Sequence, residues 1–207
     1  MQKISAETRR LVGGALCLDF ANSIDWASDG TERPAHTDVL TEPQHLGSWG
    51  QRVELFGADA PLPVSGRELS AARELRSAVR SVFAAIAKGS VPSADALARI
   101  ERDHAKAARA GHLVQEGGHW GLDWPLDDPR RVRFAVALDA MDMLREEERL
   151  ERLRICPGNN CGWLFLDSSG RRRWCSMEVC GSRAKMRRLY QRKVGGRPRG
   201  RPPTGAA

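Results

Sequence analysis

The sequence has no long hydrophobic run, few aromatic residues and little acidic charge in its last quarter. No stretch approaches the roughly 20 apolar residues that cross a bilayer, which excludes a transmembrane protein. The first residues lack the apolar core of a secretory signal, so we expect a cytoplasmic protein. Hydrophobic residues nevertheless make up 41% of the 207 residues, which is enough for a buried core.

Residues 1–150 also lack the patterns that mark an active site. They contain no phosphate-binding loop, no nucleophile with a neighbouring base and no cluster of metal-binding carboxylates. We therefore predict that the chain is not an enzyme. An enzyme in this region, with the basic end as a targeting arm, is the alternative.

Positive charge is concentrated at the C-terminal end. Residues 151–207 hold 14 Lys and Arg against three acids, whereas residues 1–150 hold 19 basic and 23 acidic residues. A mildly acidic body with a strongly basic end indicates a polyanionic partner, most often nucleic acid. Membrane headgroups, acidic proteins or a merely solvated basic tail are the alternatives that charge alone leaves open.

Helical periodicity dominates residues 1–150, which we predict to form one helical domain. Helices are predicted within 11–24, from 43 to beyond 56, over 65–88, over 93–110 and from 128 to about 149. Gly117-Gly118 lies between two short alternating runs and predicts a β-hairpin. The predicted fold class is therefore mainly α with small β elements (α+β).

Four of the five cysteines lie close together near the C-terminal end. Cys156 and Cys161 form one pair, and Cys175 and Cys180 form a second pair with the same spacing. Two close pairs are typical of a tetrahedral four-cysteine zinc site, in which four thiolates leave no place for a catalytic water. We predict one structural Zn²⁺ per chain; two disulfides or a redox switch are the alternatives. Cys17 lies alone in an apolar segment, and we interpret it as a core thiol.

The residues around these cysteines predict a small treble-clef-like zinc-finger domain over 151–194. Segments 163–166 and 172–174 flank the turn sequence 167–170, so we expect them to pair as a hairpin over the metal. A helix over about 176–193 then follows. Its apolar face is expected to pack on the zinc unit and consists of Val179, Met186, Leu189 and Tyr190. Metal binding would supply most of the folding energy of so small a unit.

The opposite face of this helix is cationic and predicts contact with duplex DNA, because arginine pairs with both phosphates and guanine edges. The predicted DNA contacts are Arg171, Arg172, Arg173, Arg183, Lys185, Arg187, Arg188, Arg192, Arg199 and Arg201. The last two lie in Pro-Arg-Gly-Arg-Pro, within a tail over 195–207 that we expect to be disordered in isolation. This tail resembles an AT-hook core, which fits a narrow A·T minor groove. A basic helix that only solvates the domain is the alternative.

The finger residues resemble the CGNR zinc-finger family of bacterial proteins. The matching motifs are Cys161-Gly162-Trp163-Leu164-Phe165-Leu166-Asp167, Arg172-Arg173-Trp174-Cys175-Ser176-Met177 and Cys180-Gly181-Ser182-Arg183-Ala184-Lys185. Ser182 stands where the family has its name-giving Asn, and the hairpin turn is about two residues shorter. Gly13-Gly14-Ala15-Leu16-Cys17-Leu18-Asp19-Phe20-Ala21-Asn22-Ser23 is similar to the ABATE domain that usually precedes this finger. The resemblance implies a transcription regulator with a sensor domain.

Together these features predict a DNA-binding, nucleoid-associated transcription regulator. We expect a homodimer, because one short module gives limited specificity. The N-terminal domain would dimerise or bind a small effector. The candidate pocket residues are Asp19, Asn22, Trp26 and Trp49, with Trp120 and Trp124; the alternative for the tryptophans is core or interface packing. An RNA-binding or protein-interaction module is the second hypothesis.

Overall fold

The computed structural model describes residues 5–26, 37–56, 62–159 and 161–195, which form helices and two small antiparallel sheets. The elements are α1 Leu16–Ala21, α2 Pro43–Arg52, α3 Gly66–Ala87, α4 Ala94–Ala110, β1 His112–Glu116, β2 His119–Asp123, α5 Arg131–Arg145, α6 Glu147–Glu151, β3 Leu153–Ile155, β4 Leu164–Leu166, a π-helical turn Met177–Gly181 and α7 Ser182–Gly195. The predicted fold class is confirmed. Arg199 and Arg201, in the predicted tail, lie outside the described residues.

Local signals set the ends of the longest helix and the turn of the first hairpin. The Ser65 hydroxyl accepts a hydrogen bond from the Glu68 N–H at 3.2 Å and caps α3. Gly89 follows α3 with a φ of 68°, the left-handed conformation that glycine favours. Gly117 (53°) and Gly118 (90°) both have positive φ, as a type I′ turn between β1 and β2 requires. The predicted extent of α3 and the predicted hairpin are confirmed.

Three helices differ from their predictions. α2 ends at Arg52, although its helical period was expected to reach residue 56. α1 has only six residues, where a helix or a strand–helix unit was expected over 11–24, because Gly14 takes a φ of 78° just before it. The helix expected over 128–149 is divided into α5 and α6, because the backbone at Glu146 is extended (φ −101°, ψ 94°). Asp128 does not cap α5; its carboxylate accepts hydrogen bonds within the turn before the helix.

One hydrophobic core joins the helices to the second sheet. Phe20 of α1 and Trp49 of α2 lie in its centre, with ring centroids 4.9 Å apart. Leu153 of β3 and Leu164 of β4 are buried in the same cluster. The predicted boundary at residue 150 therefore separates two sequence regions that share a core. Within the described ranges, no helix is both long enough and apolar enough to cross a membrane.

Candidate metal centre

The four clustered cysteines bring their sulfur atoms together. All four Sγ atoms lie within 4.8 Å of one another, with 3.5 Å between Cys161 and Cys175 and 3.6 Å between Cys175 and Cys180. A tetrahedral zinc ion with Zn–S bonds of about 2.3 Å holds its sulfurs roughly 3.8 Å apart. The spacing therefore fits one zinc ion. Among the described residues, this is the one cluster of cysteine, histidine or carboxylate groups that could hold a metal.

The first cysteine pair lies in the turn that joins β3 to β4. The Cys156 N–H donates to the Trp163 carbonyl at 2.8 Å and closes the hairpin, and the Cys161 N–H donates to the Gly158 carbonyl at 3.0 Å. A Cβ at Gly158 would lie 2.9 Å from the Cys180 sulfur. Any side chain there would collide with a ligand, so the tight turn requires glycine.

The second pair flanks the start of the π-helical turn. The Cys175 N–H points at the Cys156 sulfur at 3.4 Å, and the Ser176 hydroxyl accepts from the Val179 N–H at 3.4 Å. This cap starts the turn that carries Cys180. Because α7 begins two residues after Cys180, the direction of α7 depends on the metal ligand before it.

The chemistry of the donor set also fits a divalent ion. Hydrogen bonds from Cys161 and Cys175 hold the pKa of Cys156 far below its usual value. The same bonds raise the pKa of Cys161 and of Cys175, and burial raises the pKa of Cys180. Burial and the mutual hydrogen bonds therefore oppose the ionisation of three of the four thiols. Only a cation of high charge can hold four thiolates this close together.

The hairpin pairs differently from the sequence-based prediction. β4 pairs with β3 in antiparallel register, with Leu164 opposite Ile155, and not with residues 172–174. The N-terminal segment occupies the other edge of β4: the Leu166 N–H donates to the Gly13 carbonyl at 2.8 Å. The Asn22 amide completes this edge, because it donates to the Leu164 carbonyl at 2.8 Å and accepts from its N–H at 3.0 Å. A strand at 172–174 therefore has no free edge to join.

Arg172, a predicted DNA contact, is half-buried, and its guanidinium is bonded to the backbone. Its guanidinium donates to the carbonyls of Val12 at 2.8 Å and Trp174 at 3.2 Å, and to the Cys175 carbonyl. The guanidinium also stacks 4.8 Å from the Phe165 ring. These contacts connect the N-terminal segment to the metal loop, so the side chain is a structural brace.

Two further arginines hold the N-terminal segment against the finger. The buried Arg9 donates to Asp25 at 2.6 Å and lies 4.5 Å over the Trp163 ring, while the Trp163 indole donates to Asp25 at 3.2 Å. Arg10 forms an exposed ion pair with Glu178 of the π-helical turn at 2.8 Å. The sequence alone does not reveal these two arginines. Arg9 contacts Trp163 and Arg10 contacts Glu178, and both partners are more than a hundred positions away.

Four of the candidate pocket residues support the N-terminal segment. They are Asp19, Asn22, Trp26 and Trp49. Asn22 and Trp49 are fully buried, so neither lines an open surface. Both N–H groups of Val12 and Gly13 donate to Asp19 at 2.7 Å, while burial raises the pKa of Asp19 to about 6. The Trp26 indole donates to a carbonyl of α1 at 2.8 Å. We interpret the four side chains as supports of the N-terminal segment.

The remaining predicted site residues divide between core and surface. Cys17 is fully buried, as expected of a core thiol. Trp124 is buried and its indole donates to the Ala107 carbonyl at 2.9 Å, whereas Trp120 is 66% exposed. Core packing therefore explains Trp124 and does not explain Trp120.

Helix α7 projects from the molecule. All five of its predicted DNA contacts, Arg183, Lys185, Arg187, Arg188 and Arg192, are exposed. Of the predicted apolar face, Val179 packs against the cysteine cluster. The expectation is wrong for the other three residues, because Met186 is 65%, Leu189 41% and Tyr190 69% exposed. The core elements already cover β3 and β4, so α7 packs mainly on the π-helical turn.

Comparison with known families gives two matches in the predicted order. The ABATE family, described as "Putative stress-induced transcription regulator", matches residues 14–147. The CGNR zinc finger matches residues 152–193. Both resemblances inferred from the sequence are confirmed. No curated protein matches the chain.

Proposed function

The chain belongs to the ABATE family, and from this premise we propose that it is a DNA-binding transcription regulator whose zinc-ordered helix α7 contacts duplex DNA. One observation supports this proposal above all: α7 carries six cations and no acid, and these cations are exposed. They are Arg183, Lys185, Arg187, Arg188, Arg192 and Lys193. None of them has a carboxylate within ion-pair distance among the described residues, so a polyanion can take all six.

The dimensions of α7 suit the major groove. Its 14 residues span about 21 Å, and a helix with side chains is roughly 10–12 Å across, close to the width of the groove. The four cysteines would hold zinc, which would offset two of the four thiolate charges and fix the turn that precedes α7. The Ser182 hydroxyl donates to the Met177 carbonyl at 3.2 Å and closes this turn in place of the family Asn.

The exposed cations beside the metal loop extend the proposed contact surface. Arg171 is exposed, and Arg173 is exposed with its guanidinium 5.3 Å from the Trp174 ring. We assign both to DNA phosphates, which position a protein on the duplex without reading its sequence. Arg172 is left out, because backbone carbonyls already accept its hydrogen bonds.

Arg199 and Arg201 are proposed to enter an A·T minor groove beside the α7 site. A homodimer in the cytoplasm, associated with the nucleoid, completes the proposal, because two copies of α7 would read two half-sites. Removing residues 196–207 should weaken binding mainly at sites flanked by A·T pairs. If the full chain and the truncated chain each bind equally well whatever base pairs flank the site, the tail has no role in recognition. Light scattering would measure whether the chain is a dimer.

Titration of duplex DNA at several salt concentrations tests the role of α7. Replacing Arg187→Gln together with Arg188→Gln should weaken duplex affinity about tenfold per residue and reduce the log–log salt slope by about 2. Arg109→Gln, an exposed cation at the end of α4, is the control and should change neither quantity. Unchanged duplex affinity in the double variant would contradict the proposal.

Single-stranded RNA in the same titration separates the second candidate function. A zinc finger with four cysteine ligands can also bind RNA or protein. Preference for the duplex supports the DNA-binding proposal, whereas equal or higher affinity for RNA would replace it. The two matched families describe a regulator and a zinc finger, which favours a regulator over an enzyme.

A further inference from the structure

A cavity of about 530 Å³ lies between the start of α3, the middle of α4 and the start of α5. Its volume is within the range of small-ligand sites. Its walls carry six cations: Arg67, Arg99, Arg102, Lys106, Arg130 and Arg133. Only three carboxylates line it. This is unexpected in residues 1–150, where acids outnumber bases by 23 to 19.

Two of the arginines pair with the three carboxylates, and this network keeps one net negative charge. Arg133 donates to both oxygens of Glu68, at 2.6 and 2.9 Å, and also to Asp103. Arg99 donates to Asp103 at 2.7 Å and to Glu74. Because Arg133, Glu68 and Asp103 are all buried, this network forms a fixed floor that joins α3, α4 and α5. It leaves none of the three carboxylates without a cationic partner.

Three cations remain above this floor without a partner. Arg67, Arg102 and Lys106 are exposed, and none has a carboxylate within ion-pair distance in the described ranges. Arg102 and Lys106 are four residues apart, so they lie on the same face of α4, where like charges destabilise the helix. Arg130 adds a fourth cation, although Asp128 pairs with it at 2.7 Å.

Ser65 and Arg67, at the start of α3, line the same cavity. The Ser65 hydroxyl accepts from the Glu68 N–H only, so the N–H groups of Gly66 and Arg67 precede the first bonds of the helix. Nothing lies within 4 Å of the position that a Cβ on Gly66 would take, and the backbone there is open to a ligand. An open N-terminus favours negative charge and strengthens the effect of the unpaired cations.

We propose that this cavity binds a small anion with two or more phosphate groups. Three separated, unpaired cations exceed what one phosphate group would engage, and the polar walls favour a ligand recognised by its charge. The site gives the N-terminal domain a ligand of defined chemistry, distinct from the candidate pocket residues of the sequence analysis. It does not depend on the DNA contact of α7.

Titration of the zinc-loaded full chain with inorganic pyrophosphate, followed by calorimetry, tests this proposal. Arg102→Gln with Lys106→Gln should weaken pyrophosphate binding about tenfold or more, because charge-assisted hydrogen bonds are lost. Lys88→Gln with Arg109→Gln is the matched control, since it removes two exposed cations of α3 and α4 that do not line the cavity. The control should bind pyrophosphate as the unchanged chain does.

The folded state and the DNA contact are measured beside this binding. The melting temperature of the unliganded double variant should stay unchanged or rise, because a like-charged pair is removed. The α7 variant, Arg187→Gln with Arg188→Gln, should keep its pyrophosphate affinity even if duplex binding is lost. No pyrophosphate binding to the unchanged chain, or equal losses in the double variant and the control, would overturn the proposal. The proposal would also be overturned if the cavity variant, Arg102→Gln with Lys106→Gln, lost duplex affinity but kept its pyrophosphate affinity. The cations of the cavity would then bind DNA phosphates.

Discussion

The two halves of the zinc finger are held in different ways. The hairpin half is buried, with Leu164 and Phe165 at most 1% exposed, and the N-terminal segment completes its free edge. In the helix half, every side chain over 182–193 except that of Ala184 is exposed. The hairpin therefore has both a core and a metal to stabilise it, whereas α7 depends mainly on the metal.

This difference shows that one metal ion can stabilise two parts of a small unit unequally. The sequence suggested that zinc supplies most of the folding energy of the whole finger, as in small domains without a core. The shared core changes that expectation for the hairpin. We expect zinc to decide whether α7 is ordered, and to contribute only part of the stability of β3 and β4.

Removal of zinc should have the largest effect and would test the comparison directly. In the chain with Cys175→Ser, or after chelation, amides of α7 should exchange as in an unfolded segment, while amides of β4 remain protected. Duplex affinity should fall about a hundredfold or more, because the cations lose their common scaffold. Hydrogen exchange measured by mass spectrometry, together with DNA titration, checks both effects.

Cys17→Ala is the control for loss of a cysteine. It removes a buried thiol far from the cluster and should keep one zinc per chain, although it lowers the free energy of unfolding. If the amides of α7 stay protected without zinc, α7 does not depend on the metal. If the amides of β4 lose their protection without zinc, the core alone does not stabilise the hairpin.

The replacement Asn22→Ala should give the next largest effect, on the hairpin half only. It leaves the Leu164 N–H and carbonyl buried without partners, which costs about 4 kcal/mol of unfolding free energy for the two groups. Zinc stoichiometry should stay at one per chain. Gln115→Ala removes an exposed amide on β1 and serves as the control. Denaturant titration measures both variants. Equal losses of unfolding free energy would contradict the role of the Asn22 amide at the edge of β4.

Arg9 and Arg10 are neighbours in sequence and sharpen the same comparison. Arg9→Gln breaks a buried ion pair and a contact over an indole ring, and should cost about 3 kcal/mol. Arg10→Gln breaks an exposed pair and should cost less than about 1 kcal/mol. Thermal unfolding of the two variants measures the difference. Similar melting temperatures would mean that Arg9 does not hold the hairpin.

The features predicted correctly from sequence have local causes. The ends of α3, the Gly117-Gly118 turn and the spacing of the cysteine pairs each depend on residues within a few positions of one another. Such signals can be recognised in a single sequence without knowing the tertiary fold. This is why the sequence alone was enough to identify the four metal ligands.

The features predicted wrongly depend on distant partners. The pairing of β4 is decided by Gly13 and Asn22, about 140 to 150 residues earlier in the chain. Arg172 has the same residue type as the exposed cations of α7, and only the fold shows that its partners are backbone carbonyls. The period of α7 indicated an apolar face but gave no information about what covers it.

Asp19 gives a smaller predicted effect than Asn22 or Arg9 and tests the N-terminal segment alone. Burial raises its pKa to about 6, above the ordinary value of 3.8, so the fold favours the protonated carboxyl. The stabilisation is complete below the ordinary pKa and is lost as the pH rises through about 6. Between pH 5 and pH 7.5, the unfolding free energy of the unchanged chain should therefore fall by about 1.4 kcal/mol relative to Asp19→Asn, which cannot ionise. Because Asp19 positions the segment beside β4 and not α7, duplex affinity should show no such difference between the two chains. Parallel pH profiles of stability in both chains would mean that Asp19 is charged throughout this range.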